Sequence, residues 1–173
     1  MRLSRRLVAE ALGTSALVTA VVGSGIMAER LAGGNMAVAL LANTIATGAA
    51  LVALILTFAS ISGAHFNPVV SMVAAASGQL RTSEAVAYSL VQVAGAFAGA
   101  ATAHLMFGEP LFSLSTHARA GSSQVFSEFV ATSGLIAVIH GCGRSQPTAV
   151  PYAVACYIAV SYTHLTLPTN REV

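Results

Sequence analysis

The chain has 173 residues, 55% of them hydrophobic and only 8% charged, with a formal net charge of +2. Soluble globular domains carry roughly 25% charged residues, so this composition excludes a solvated soluble domain, a basic nucleic-acid-binding face and a disordered chain. Cys142 and Cys156 sit in apolar stretches without metal or redox spacing. What remains is a membrane protein.

A bilayer core about 30 Å thick is crossed by about 20 apolar residues in a helix. Apolar runs occur at residues 7–28, 36–60, 85–107, 125–141 and 149–162, the last of them short. Arg5-Arg6 before an apolar run has the outline of a signal peptide. The run exceeds a usual signal core and more spans follow, so it reads as a first transmembrane helix. The joints are turn-forming: Gly33-Gly34-Asn35, Gly78-Gln79, Gly108-Glu109-Pro110 and Ser145-Gln146-Pro147. With even alternation Arg2, Arg5, Arg6, Arg81 and Arg144 fall on one side, and Arg30, Arg119 and Arg171 on the other. The positive-inside rule then places the N-terminus in the cytoplasm.

Residues 61–77 are apolar yet follow the second span without a polar loop. Within them, Asn67-Pro68 joins a favoured N-cap to a favoured first helical residue. From Pro68 to Ser77 there is room for about 15 Å of helix, half a bilayer. The chain is therefore expected to dip into the membrane as a loop and leave as a half-helix. Irregular backbone at that depth is tolerated only where protein buries it or water bathes it. A half-helix starting at the midplane offers unpaired N–H groups and a partial positive charge to the path. Asn67 adds an amide donor, and the carbonyls of Gly63, Ala64, His65 and Phe66 would form a ladder of acceptors. Such a lining exchanges hydrogen bonds with a neutral solute and repels a cation.

The first and fourth spans align without a gap. Glu10 pairs with Glu128, Thr14 with Thr132, Ser15 with Ser133, Leu17 with Leu135, Gly23 with Gly141 and Gly25 with Gly143. The copies are three spans apart, so the second enters from the opposite face. Inverted repeats of this kind build channels and transporters around a midplane site.

The run Ser62-Gly63-Ala64-His65-Phe66-Asn67-Pro68-Val69 resembles the first signature loop of the aquaporin and glycerol-facilitator (major intrinsic protein) family, in which Ala more often follows Asn-Pro. Glu10 and Thr14, Gln92 with Gly95 and Gly99, and Glu128 with Thr132 fit the same family, and the resemblance covers residues 3–162. It implies an all-α membrane protein, an aquaporin-like inverted-repeat helical bundle of six spans and two re-entrant half-helices. Four protomers would assemble, each with its own pore. Position by position, it makes Asn67 the pore donor and Gly63, Ala64, His65 and Phe66 pore-lining, with the His65 side chain in the cytoplasmic vestibule. Asn67, Pro68 and Val69 would start the half-helix, and Glu10 and Glu128 would brace re-entrant loops. Counting twenty residues back from Asn67 reaches Thr47. Water-selective members tend to carry Phe there and glycerol facilitators Trp. The smaller Thr47 implies a wider constriction, open to small polyols, urea or uncharged metalloid acids as well as water.

The repeat offset places a second Asn-Pro motif beyond Val173, and the fifth span gives way to a polar, Thr-rich, Pro-broken stretch at residues 161–173. The expectation is a partial channel domain over residues 1–160, with its second half incomplete, and a tail foreign to the family. Gly95 and Gly99 read as a close helix-packing face. No His, Cys and Glu share metal-ligand spacing, no catalytic signature occurs, and no Asp exists to complete a triad. The functional expectation is a passive channel, not an enzyme, in a bacterial-type inner or plasma membrane. It would pass water or small neutral solutes such as glycerol, without cofactor, metal or nucleic acid. Its partners would be the lipid bilayer, the solute and, at full length, three further copies in a homotetramer. The alternatives are a non-conducting fragment of such a channel and a coupled secondary transporter using Glu10 and Glu128.

Overall fold

The computed structural model describes residues 1–111 and 121–161. Its helices are α1 (Leu3–Leu31), α2 (Met36–Ser62), α3 (Pro68–Ala76), α4 (Thr82–Phe107), α5 (Ser122–Ser145) and α6 (Val150–Val160), the last preceded by a 3-10 turn at Pro147–Ala149. Helices α1, α2, α4 and α5 are long and apolar enough to cross a membrane, and α6 with its leading turn is shorter. The fold is all-α, and α3 is the nine-residue half-helix expected after Asn67.

The helices outrun the apolar limits read from sequence. α1 starts at Leu3 and ends at Leu31 rather than covering 7–28; α4 starts at Thr82, and α5 spans Ser122–Ser145 rather than 125–141. Hydropathy marks the stretch that hydrocarbon covers, whereas backbone hydrogen bonding continues into the interface. There Arg5, Arg30 and Arg144 remain helical and exposed. α2 likewise persists to Ser62. The fifth apolar run yields α6; of the tail expected at residues 161–173, Ser161 follows α6 as its C-cap and the rest lies outside the described residues.

The chain forms two compact units, Met1–Leu111 and Phe112–Val173. In the first, α1 packs on both α2 and α4, and α3 packs on α4. Asn35 starts α2 by accepting from the amides of Ala37 and Val38. The α1–α4 contact runs backbone to backbone, because α4 has no side chain at two crossing points. A Cβ at Gly95 would meet the Ala11 carbonyl oxygen at 2.5 Å, and one at Gly99 would run into the Ser15 carbonyl. Thr19 Oγ1 lies 2.8 Å from the Ser15 carbonyl and 3.1 Å from the Gly99 carbonyl, sharing its proton between the two helices. This is the close packing that the small-residue spacing predicted.

Glu84, Tyr88, Gln92, Gly95, Gly99 and Ala103 form the buried face of α4 at helical spacing. That face receives α1 and α3. In the second unit, α5 packs on α6, with the Tyr157 hydroxyl set against the space where Gly134 lacks a side chain.

Candidate functional site

The connection between α2 and α3 is short and strained. Gly63 ends α2 at φ +94, and Ala64 and Phe66 also take left-handed φ values of 52 and 47. Each such non-glycine residue costs about 1–2 kcal/mol. The conformation is held by Glu10, which is 0% exposed. Its Oε1 accepts from the His65 amide at 3.1 Å; its Oε2 accepts from the Phe66 amide at 2.8 Å and from Gln92 Nε2 at 2.8 Å. A carboxylate is an acceptor-only group with room for several donors, which suits a bend whose amides face away from any helix.

A second layer fixes the first. Gln92 Nε2 also donates to Ser71 Oγ at 3.0 Å, and Ser71 Oγ donates to the Asn67 carbonyl at 3.2 Å. His65 Nδ1 lies 3.1 Å from Ser71 Oγ. Tyr88 donates its hydroxyl proton to the Ser62 carbonyl at 3.0 Å and accepts from Arg6 Nε at 2.7 Å. Its ring meets His65 edge-on at 5.5 Å, and the Arg6 guanidinium lies 5.2 Å from the Tyr88 ring centroid. Glu84 receives both Arg6 at 3.3 Å and Arg81 at 2.8 Å, tying the starts of α1 and α4 together.

What the loop leaves unpaired defines its chemistry. Among the described residues, the carbonyls of Gly63, Ala64, His65 and Phe66 accept no hydrogen bond from the protein. At the start of α3, Asn67 Oδ1 caps the Val69 amide at 2.8 Å. Asn67 Nδ2 and the amides of Asn67 and Val70 have no acceptor among the described residues. Backbone groups inside a protein are ordinarily paired. A run of four spare acceptors beside three spare donors therefore matches water or a hydroxylated solute.

The sequence-derived residues fall into two sets. Glu10, Gly63, Ala64, His65, Phe66, Asn67, Pro68 and Val69 are brought into one continuous feature. Phe66 takes part through its backbone; its ring packs edge-on against Phe58 at 6.0 Å and fills the space over Gly13. Thr47 stands apart: it is 2% exposed on the buried face of α2, with a hydroxyl that has no partner among the described residues and no bond to the loop cluster. Glu128 is exposed on α5 and makes no hydrogen bond or ion pair among the described residues. Sequence reading passed over Arg6, Tyr88 and Ser71 as functional residues. The available signal was Glu84, Tyr88 and Gln92 at spacings of four along an otherwise apolar helix, a polar stripe that lipid cannot accept. Among the described residues, no group of three or more His, Cys, Asp or Glu could hold a metal ion.

The chain is similar to known proteins over most of its length. A family model described as major intrinsic protein matches residues 1–167. The aquaglyceroporin AqpS of Rhizobium meliloti is 54% identical over 160 residues, a match covering 92% of this chain and 68% of that protein. Aquaporin Z of Photorhabdus laumondii is 30% identical over 166 residues, covering 87% of this chain and 71% of its own length. Aquaporin NIP1-4 of Oryza sativa is 36% identical over 102 residues, 59% of this chain and 36% of that protein.

Proposed function

The chain belongs to the major intrinsic protein family, and from that premise we propose that residues 63–70 line one half of a passive pore for water and glycerol-sized neutral solutes. Members of the family are channels and not enzymes, and the chain is an integral membrane protein with four helices long and apolar enough to cross a bilayer. The observation that carries the reading is the loop's inventory of spare hydrogen-bonding groups: four carbonyls, two backbone amides and Asn67 Nδ2. A polyol can satisfy both signs at once. A cation would lose its hydration shell and meet the positive end of α3.

Glycerol is favoured alongside water by the likeness to an aquaglyceroporin and by the small side chain of Thr47. Urea and uncharged metalloid acids have the same size and neutrality. Glu10 braces the loop, and Glu128 holds the matching repeat position. The N-terminus lies in the cytoplasm, in keeping with the Arg distribution, and the working assembly is a homotetramer.

The test is stopped-flow light scattering on proteoliposomes containing the chain, with water and glycerol gradients run separately. Conduction above empty liposomes for both solutes is expected. A correctly inserted chain that passes neither belongs to the non-conducting reading. Asn67→Asp retains an oxygen to cap Val69, and a carboxylate at a helix N-terminus is itself favourable. It removes the Nδ2 donor and places a charge in the path. Solute flux should fall about tenfold or more, equivalent to at least about 1.4 kcal/mol on the barrier, with insertion unchanged. Unaltered flux would count against Asn67 as the pore donor.

A further inference from the structure

We propose that Ser71 is a positioning residue for the pore, holding the His65 ring in one orientation and one tautomer so that Nε2 alone meets the solute. The inference rests on the reading of residues 63–70 as a pore lining and deepens it. Of Gly63, Ala64, His65 and Phe66, only His65 has a polar side chain. Its ring therefore decides whether a further hydrogen-bonding atom joins the row of carbonyls.

Ser71 is fully buried, and its Oγ touches three polar groups. Gln92 Nε2 lies at 3.0 Å, the Asn67 carbonyl at 3.2 Å and His65 Nδ1 at 3.1 Å. Gln92 is buried as well and donates to Glu10, so the hydroxyl is fixed from α4 and does not follow a turning ring. On its edge the His65 ring meets Tyr88 at 5.5 Å with the planes at 63°. The Tyr88 hydroxyl is engaged by Arg6 and Ser62, so this contact restrains the ring by shape and bonds neither nitrogen. His65 Nε2 makes no hydrogen bond among the described residues and is accessible. The proton of a neutral imidazole is placed by the hydrogen bond its other nitrogen makes. For His65 that bond is the one between Nδ1 and Ser71. An anchored hydroxyl at Nδ1 thus settles whether Nε2 donates to a passing solute or accepts from it.

The test is nitrogen NMR of the full chain in lipid vesicles with isotopically labelled histidine, at a pH about two units above the ordinary histidine value so that the ring is neutral. The His65 signals are assigned as those missing from His65→Gln. In the wild type one tautomer should exceed the other by about fivefold or more, the ratio that one net hydrogen bond sustains. In Ser71→Ala the ratio should fall to that of free histidine while circular dichroism shows the helices intact. Tyr88→Phe, which loosens the loop without touching a ring nitrogen, should keep the wild-type ratio. A wild-type ring that averages between tautomers overturns the proposal. So does a Tyr88→Phe spectrum that changes as the Ser71→Ala spectrum does, since the loop as a whole would then hold the ring. Stopped-flow traces read the consequence: the ratio of glycerol to water flux should shift about fivefold in Ser71→Ala, and an unmoved ratio removes Ser71 from solute passage. A wild-type chain that passes neither solute defeats the pore reading, while the imidazole spectra still decide whether Ser71 fixes the ring.

Discussion

The two repeat copies hold the same residues in different surroundings. In the unit Met1–Leu111, Glu10 is fully buried and serves three N–H donors, Thr14 is buried, and Gly23 lies against the Phe107 ring. In the other unit Glu128 is exposed, Thr132 is half-buried, and nothing lies within 4 Å of a Cβ added at Gly141. Of the residues of α5 only Leu135 is buried. A carboxylate within an apolar helix thus holds a loop only when the loop's amides and a neighbouring polar helix face are packed against it. Residue type sets what the group is able to do; packing decides whether it has anything to act on.

Substitutions can test this contrast, in descending order of effect. Glu10→Gln should be the most damaging. The amide is isosteric but offers one acceptor oxygen where three N–H groups converge, so at least one buried donor faces another donor. The cost should be about 2–4 kcal/mol, read as a lower midpoint in denaturant titration of the detergent-solubilised protein. Glu128→Gln in the same assay should shift the midpoint within error; a comparable loss at both positions would break the contrast. Gly95→Ala comes next. Its Cβ would strike the Ala11 backbone, which cannot swing aside, so overpacking should cost about 1–3 kcal/mol.

Tyr88→Phe is smaller. It keeps the ring against His65 and removes the donor to Ser62 and the acceptor for Arg6, a loss of about 1 kcal/mol. Hydrogen–deuterium exchange should quicken at the amides of Ala64, His65 and Phe66, and unchanged exchange would remove Tyr88 from the support of the loop. The smallest effect belongs to Gly141→Ala. With open space around it, the change should leave stability level or raise it by up to about 1 kcal/mol, the propensity difference between glycine and alanine in a helix. Set beside Gly95→Ala, it sharpens the difference between a glycine at a helix crossing and one on a free face.

Much of this is legible in the order of the residues. Asn67-Pro68 after an apolar run predicted the start of a half-helix, since capping and a fixed proline φ are properties of neighbouring residues. Glu10 was marked by its pairing with Glu128 in the repeat and by the family resemblance, which assigns both a bracing role. The limits of the spans were less legible: hydropathy changes at the edge of the hydrocarbon, and a helix ends only where its backbone hydrogen bonds do.

Residue order alone was enough for an all-α membrane protein, the start of a half-helix at Asn67-Pro68 and a close-packing face at Gly95 and Gly99. These follow from composition, helical period and local backbone preference, each of which acts over a few residues. The tertiary structure alone decided that Arg6, Tyr88, Ser71 and Gln92 converge on the loop with Glu10, that Phe66 contributes its carbonyl while its ring is buried, and that Glu10 and Glu128 part ways. Those outcomes depend on contacts between residues as far apart as Arg6 and Tyr88. Such contacts are settled by how helices pack, not by which residues follow one another.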